Sequence, residues 1–560
     1  MEDKRPLLTK LRSRKQQLWT ERASWDPHWR DLAEHVLPRT GQWAPDDRNR
    51  GEKKHRLIYD STATGALEIL TAGMMAGATS PARPWMRLQT PDPDLNKHKP
   101  VEVWLETVTR TMLRVFSRSN TYRALPRYYQ EIALYGTAAG VVTAHPTNVI
   151  HHYPLTAGQY ALGVDSEEEV NTLAREYAMT VSQIVGQFGL DRCSVAVKNS
   201  FKNGRYDEWR NVCHIIEPRF DRDERKIDGI NMPFRSVYFE SGGKGSNGPT
   251  DVLLEEGFRD FPVLAPRWST SGGDIYGSSP GMAALGDIRS LQVMAKRKGQ
   301  AIDFKTKPPT QGPASLKGNE IDKMPGGHTE VPGNQQITPI WQVGLDLGEL
   351  REDIAMTQQR INSRFYADLF LMLASTTKSM TATEVAERHE EKLTMLGPTL
   401  ERLHNELLSP LVSLTFGHMS DMGMLPPPPE ELVDADLEPE FISMLAQAQQ
   451  AVGASQDDRF QGVLQAMAQS HPEAMDVMDV DEYLRGYARK IGVDASVLRS
   501  ADEVSEMRQL RMQAQHAEAK SQVMQEQSVA IKNMAQAEAV MPEEGGGGEP
   551  SDPFSGYGGV

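Results

Sequence analysis

The sequence predicts an α+β protein that is mainly helical, with its strands confined to the middle of the chain. Apolar residues recur at three- to four-residue spacing near the N-terminus and again beyond residue 279, as in amphipathic helices. Between residues 141 and 268, short β-like runs such as HIIEPRF and FRSVYFE are separated by Gly, Pro and Asp clusters. With 560 residues, the chain is long enough for several packing units rather than one core.

The N-terminal part is predicted to be helical. Apolar spacing indicates a helix over residues 1–36, which Pro27 divides into two pieces. A further helix opens at DSTATGALEIL, with Asp60 or Ser61 as its N-cap, and its small residues admit a close neighbour. The stretch SPARP ends that helix and fixes an extended exit, which leaves Trp85 to fill a core pocket. Residues 101–140 are again predicted to be helical.

Three helices follow the strand-like region. The first begins with Ser279 as N-cap and Pro280 at the first helical position. About forty Pro- and Gly-rich residues come next and predict a small irregular or β module. The second helix starts at Asp346, with Glu349 placed as in a capping box. TATE at 381–384 is a full capping box that starts the third helix, which Pro398 should kink.

The composition changes beyond PPPPEEL at 426–432. Ala, Gln, Met and Glu dominate the following hundred residues and favour helices, and the last twenty residues are predicted to be disordered. Residues 431–560 carry 23 acidic and 9 basic side chains, a net charge of −14 out of −15 for the whole chain. Affinity for DNA comes largely from neutralising phosphates, so this balance disfavours tight general DNA binding but permits loose passage of DNA.

The motifs give no reason to predict an enzyme, a cofactor or a metal. GxSxG, HExxH, paired CxxC and dinucleotide-binding patterns are absent from the sequence, and the lone GGKGS at 242–246 lacks phosphate-loop spacing and is interpreted as a hairpin connection. Cys193 and Cys213 are interpreted as ordinary thiols in a reducing compartment rather than zinc ligands. His151 and His152 are interpreted as surface or hydrogen-bonded histidines.

The sequence also predicts no membrane segment. No run approaches 18 uninterrupted apolar residues, and the basic N-terminus lacks the apolar region of a secretory signal.

Four blocks, taken together, resemble one family. DSTATGALEILTAGMMAGATSPARPWMRL, YGSSPGMAALGDIRSLQVM, FYADLFLML with MTATEVAERHEEKLTMLGPTLERLHNELLSPL, and LPPPPEEL occur in order. They resemble the head-to-tail connector, or portal, proteins of short-tailed (podovirus-type) bacteriophages, over roughly residues 15–440. The region beyond 440 is similar only in being helical and acidic.

The resemblance implies a dodecameric ring at one capsid vertex in the virion, assembled in the host cytoplasm. Double-stranded DNA would enter and leave through its channel. The implied partners are the terminase large subunit, a tail adaptor and tail proteins, and the major capsid and scaffolding proteins, with no membrane. An internal virion protein that forms a DNA conduit during ejection is the alternative, although such a protein would show helical periodicity throughout.

In terms of that family, the chain divides into eight parts. They are a wing (1–275), a first stem helix (276–304), a clip (305–345), a second stem helix (346–372), a tunnel loop (373–380), a kinked wing helix (381–430), a helical crown (431–540) and a disordered tail (541–560).

Two groups of residues are candidate DNA contacts. The resemblance implies that the tunnel-loop residues face the channel, namely Thr376, Thr377, Lys378 and Ser379. A cationic cluster at the stem–clip transition is a candidate for brief phosphate contacts, although a plain solvated charge run explains it equally well; it comprises Lys296, Arg297, Lys298, Lys305 and Lys307.

Overall fold

A computed structural model describes residues 5–44, 51–226, 228–241, 252–312, 314, 337–340, 347–375, 396–432, 437–443, 445, 480–481, 483–484 and 501–538. The chain forms two compact units, Met1–Asp479 and Val480–Val560. The helices are α1 (Arg5–Arg22), α2 (Asp26–Val36), α3 (Thr62–Ala78), α4 (Lys99–Arg118), α5 (Thr121–Tyr135), α6 (Val181–Phe188), α7 (Val195–Lys202), α8 (Pro280–Thr306), α9 (Leu347–Arg364), α10 (Ala367–Ser375), α11 (Ser409–Asp421) and α12 (Ala501–Glu538). The strands are β1 (Met86–Gln89), β2 (Ala139–His145), β3 (Val149–Leu155), β4 (Tyr160–Val164), β5 (Val170–Thr180), β6 (Trp209–Pro218), β7 (Phe234–Glu240), β8 (Val252–Phe258), β9 (Val263–Leu264), β10 (Thr310–Gln311), β11 (Thr338–Pro339) and β12 (Glu438–Phe441).

The N-terminal helices follow the sequence prediction. The chain breaks between α1 and α2, and Pro27 lies in the first turn of α2, where its missing N–H costs no intrahelical hydrogen bond. Leu8, Leu11 and Leu18 of α1 pack on Ala174, Ile215 and their neighbours in the five-stranded sheet.

The helix α3 is packed as closely as its small residues predict. A Cβ at Gly73 would lie 2.1 Å from Cδ1 of Phe370, and one at Gly77 would lie 2.6 Å from Cδ1 of Leu445. Asp60 is the residue that caps the helix, because its Oδ1 accepts the Thr62 N–H at 2.8 Å while Ser61 makes no side-chain cap bond.

Trp85 fills a core pocket, as predicted. Its side chain is fully buried and its Nε1 donates to the Tyr122 hydroxyl at 3.2 Å. Its ring stacks on Phe116 and on Phe441, with centroids 5.6 and 6.3 Å away. The GATSPARPWMRL stretch is therefore a packing element.

The middle of the chain forms two antiparallel sheets, which confirms the predicted meander. One has the order β4-β5-β6-β7-β8 and the other β3-β2-β9. The segment with GGKGS lies outside the described residues, but β7 and β8, which it joins, pair antiparallel. Two short helices, α6 and α7, interrupt the meander and were not predicted, although Thr180 and Gln183 form a capping box that marks the start of α6.

The structure corrects the predicted single helix over residues 346–372. The segment forms α9 and α10, separated at Tyr366, which has a φ of 54°. A non-Gly residue in the left-handed region ends helical hydrogen bonding. This turn lets Phe365 and Leu369 both enter the core, where each is fully buried.

The third predicted helix is described only from residue 396. The TATE box and residues 392–395, where a kink caused by Pro398 would be visible, lie outside the described residues. The backbone is helical from residue 396 to Asp421 but widens to π-helical hydrogen bonding over His404–Leu408. The helix ends at Asp421, nine residues before the predicted boundary at 430.

The predicted helical region 431–540 is wrong at its start. Residues Glu438–Phe441 form a strand that pairs antiparallel with β1, with Met86 opposite Phe441. The reason is the aromatic contact of Phe441, which stacks on both Trp85 and His404. Farther along, α12 is helical as predicted, and the tail 541–560 lies outside the described residues. In the described part of the chain, no helix has the length and apolar character needed to cross a bilayer.

Candidate functional site

The helices α8 and α9 form an antiparallel hairpin with a buried root and an exposed far half. An ion pair of 3.2 Å between Arg360 and Asp287 joins the end of α9 to the beginning of α8. Every buried residue of α8 lies between Pro280 and Gln292, and most residues after Gln292 are exposed. Ser279 starts α8 as predicted, because its Oγ accepts the Met282 N–H at 2.9 Å.

A polar network fixes the hairpin root to the start of α3. The Gln292 Oε1 accepts the N–H groups of Tyr59 and Asp60 at 2.6 and 2.9 Å, and its Nε2 donates to the Asp60 carbonyl at 2.8 Å. The Asp60 Oδ2 accepts from Gln358 Nε2 of α9 at 2.9 Å. Both helices are thereby held to the same turn of backbone. Sequence reasoning singled out Asp60 only as a cap and missed the two glutamines.

The cationic cluster lies on the exposed half of α8 and just beyond its end, but not on one face. Consecutive residues on a helix are about 100° apart, so Lys296, Arg297 and Lys298 point in three directions. Lys305 falls about 20° from Lys298 around the helix. The Lys296 ammonium lies over the Tyr59 ring, 5.6 Å from its centroid.

The other candidate DNA contacts lie outside the described residues. These are Thr376, Thr377, Lys378 and Ser379. Most of the predicted clip, residues 305–345, also lies outside the described residues. Of that segment, the structure describes the end of α8 and the antiparallel pair of β10 with β11.

Exposed apolar side chains on the hairpin are a feature that the sequence analysis did not single out. Val293 and Phe304 on α8 are 47% and 46% exposed, and Met356 on α9 is 56% exposed. These side chains are available for contact with another protein surface. The available signal was their offset from the apolar stripe that packs α8 on α9.

Comparison with known proteins decides the family. The model of the family described as "Bacteriophage head to tail connecting protein" matches residues 8–498. The chain belongs to this family.

The connector is also similar to curated portal proteins over most of its length. It is 50% identical over 511 residues to the probable portal protein of Bordetella phage BPP-1, covering 90% of this chain and 91% of the relative. It is 43% identical over 509 residues to the portal protein of Salmonella phage epsilon15, with the same coverage. The predicted resemblance is confirmed, and the chain is a phage portal protein.

Solved structures of a gene transfer agent give weaker matches. A chain in the native virion has a TM-score of 0.35 and 10% identity, covering 77% of the connector and 94% of that chain. A chain in the native neck computed with C12 symmetry has a TM-score of 0.33 and 12% identity, covering 76% and 92%.

An ion pair with a buried arginine and a partly buried glutamate links the helical segment 396–421 to the strand-rich part of the chain. The Arg267 guanidinium donates to Glu406 Oε1 at 2.8 Å, and its backbone N–H donates to Oε2 at 2.7 Å. Glu406 lies in the π-helical segment, whose wider turn changes where its side chains point. Because both carboxylate oxygens accept from Arg267 and the guanidinium is buried, this contact holds the two parts together.

Both cysteines and His152 are packed in the core. Cys193 and Cys213 are both free and buried, and burial raises their pKa values to about 11 and about 12. Burial lowers the pKa of His152 to about 4, and its Nε2 pairs with the Thr121 hydroxyl at 3.0 Å, as the interpretation of a hydrogen-bonded histidine expected. Within the described ranges, no three potential ligands are grouped as a metal site would require.

Proposed function

We propose that this chain is the repeating subunit of a closed, dodecameric ring at one vertex of the phage capsid, through which double-stranded DNA is packaged and ejected. The observation that carries the ring is the α8–α9 hairpin, whose exposed half presents apolar side chains on both helices. A lone subunit would leave these side chains in water, whereas neighbours around a ring would cover them. Residues 1–430 are nearly neutral and the acidity lies after residue 430, which suits a conduit that DNA crosses without adhering.

In this proposal the parts of the chain have separate duties. The hairpin is the stem, the segment 305–345 is the clip, and residues 1–275 with the helix that ends at Asp421 form the wing. The clip docks the terminase large subunit during packaging and a tail adaptor afterwards, and the wing meets capsid and scaffolding proteins. The alternative of an internal ejection protein is disfavoured by the strand-rich middle of the chain.

Electron microscopy of the purified chain tests the ring. We expect a very large species with a central hole, because lateral interfaces of an obligate ring bury on the order of 2,000 Å² or more. A monomer that persists across salt and protein concentration would refute the proposal.

A deletion tests whether the clip docks the tail adaptor. Deleting residues 311–335 should leave rings intact and abolish adaptor binding. Unchanged binding would show that the clip does not dock the adaptor.

The tunnel loop is proposed to contact DNA through Lys378. Repeated around the ring, this lysine would form a circle of positive charge, in which each contact with phosphate contributes about 1 kcal/mol in water at 4 Å. Lys378→Glu should preserve rings but reduce the DNA content of capsids, more at low salt, where charges are less screened. Lys378→Ala should have a milder effect, since it adds no repulsion. Normal DNA content with the Glu variant at low salt would exclude this duty.

A further inference from the structure

The exposed half of α8 has one side that faces α9 and one side that faces away. Met294, Lys298 and Ala301 are only partly exposed, and around α8 they lie within about 40° of Asp287, whose carboxylate pairs with Arg360 of α9. Val293, Arg297 and Phe304 are exposed and fall within about 40° of one another around the helix. We call these three residues the α8 outer face; it combines two apolar side chains with one positive charge.

The helix α9 has a matching outer face of opposite charge. Ile354, Thr357 and Ile361 are buried and define its inner side. Glu349, Glu352 and Met356 are exposed on the other side, within about 60° of one another. We call these three residues the α9 outer face; it combines one apolar side chain with two negative charges.

The two outer faces carry their apolar side chains at nearly the same height along the hairpin, and their opposite charges also lie at matching heights. The ion pair of Asp287 with Arg360 fixes the antiparallel register. Val293 lies six residues after Asp287, and Met356 lies four residues before Arg360, so their heights differ by about 3 Å. Arg297 lies ten residues along, between the heights of Glu352 and Glu349 at eight and eleven residues.

We propose that in the ring the α8 outer face of each subunit packs against the α9 outer face of the next. Val293 contacts Met356, and Arg297 lies between Glu349 and Glu352. The occupant is a second copy of this chain, because the two faces differ from each other and complement each other in charge and height. Two unlike complementary faces give the head-to-tail contact that closes a ring. The assignment rests on the proposed ring, and it gives Arg297 to the subunit interface rather than to DNA.

Charge reversal with rescue tests this interface. Arg297→Glu and Glu352→Arg each replace attraction with repulsion, which weakens each interface by roughly 2- to 30-fold. We expect each single variant to raise the protein concentration needed for rings in sedimentation velocity, and the double variant to restore it toward that of the wild type. The matched control is Lys305→Glu, which lies about 120° around α8 from Val293 and should assemble normally.

The outcomes separate the interface from the ring itself. If the wild-type chain forms no rings, the proposed function fails. If the wild type forms rings and the single variants assemble at the same concentration, or the double variant is no better than the single ones, this interface is wrong while the ring stands. Normal assembly of Arg297→Glu with reduced DNA content in capsids would assign Arg297 to DNA and overturn the inference.

Discussion

The buried carboxyl group of Glu131 makes the stability of the first compact unit, residues 1–479, depend on pH in a direction that is unusual for an acidic residue; we call this unit the body. Its Oε1 accepts from the Thr156 hydroxyl at 2.7 Å and its Oε2 accepts from the Ala157 N–H at 3.0 Å. These bonds favour the charged form, but burial outweighs them and raises the pKa to about 7 from 4.5. The folded chain therefore binds this proton more tightly than the unfolded chain does.

The sign and size of the effect follow from linkage. The stability that this group contributes is complete below pH 4.5 and is lost as the pH rises through 7, because the folded chain must then bury a carboxylate or release its bonds. A rise of about 2.5 pKa units corresponds to roughly 3 kcal/mol between pH 4.5 and pH 8. Glu131→Gln keeps the shape and an acceptor for the Ala157 N–H but cannot ionise. This variant should lose that part of the pH dependence.

Hydrogen–deuterium exchange of the segment containing Ala157 measures this locally. We expect the wild-type segment to lose protection relative to Glu131→Gln as the pH rises from 5 to 8. Comparing the two proteins at each pH cancels the intrinsic pH dependence of exchange. Glu68→Gln, on the exposed side of α3, is the control and should behave as the wild type. A constant difference between Glu131→Gln and wild type across this range would refute the argument.

Two further predictions concern packing. Gly73→Ala should destabilise the body by about 1–3 kcal/mol in denaturant unfolding, because the new Cβ would overlap Phe370. The control is Gly65→Ala in the same helix, whose Cβ would meet no atom within 4 Å and which should be neutral or stabilising by up to about 1 kcal/mol. Equal effects of the two substitutions would contradict the contact of Gly73 with Phe370. A chain that ends at residue 436 loses β12, so it should be poorly soluble and should melt at a lower temperature than one that ends at 479. The chain that ends at 479 should melt like the body of the full-length chain. Equal melting temperatures for the two shortened chains would show that the strand is dispensable.

The parts of the fold that the sequence predicted have local signals. Ser279 followed by Pro280 is a local signal for the start of a helix. The glycines of α3 indicate that another segment packs closely on the helix, but they do not indicate which segment. The parts that it missed depend on distant partners. Glu438–Phe441 has an acidic, Pro-containing sequence, and only pairing with β1 and the ring of Trp85 make it a strand.

The candidate site shows the same division. The divergence of Lys296, Arg297 and Lys298 around α8 follows from helical geometry alone and was available from the sequence. The sequence also showed that Val293 and Phe304 are offset from the apolar stripe of α8, but that offset alone does not make them exposed, because what packs against a helix decides which of its apolar residues are covered. The left-handed Tyr366 is equally invisible in sequence, since aromatic residues rarely adopt that conformation.

The pairing of β1 with β12 also delays the completion of folding during synthesis of the chain. Met86 leaves the ribosome about 350 residues before its partner Phe441 does, an interval of roughly 20 to 70 s at bacterial translation speeds. Through that interval one face of Trp85 lacks its aromatic cover and the edge of β1 lacks its partner, so the body cannot close. Because non-local pairing is slow to form, the nascent subunit reaches its final shape only after most of its chain is made. In the proposed ring, delayed closure of this kind means that complete subunits, rather than growing chains, are the species that associate.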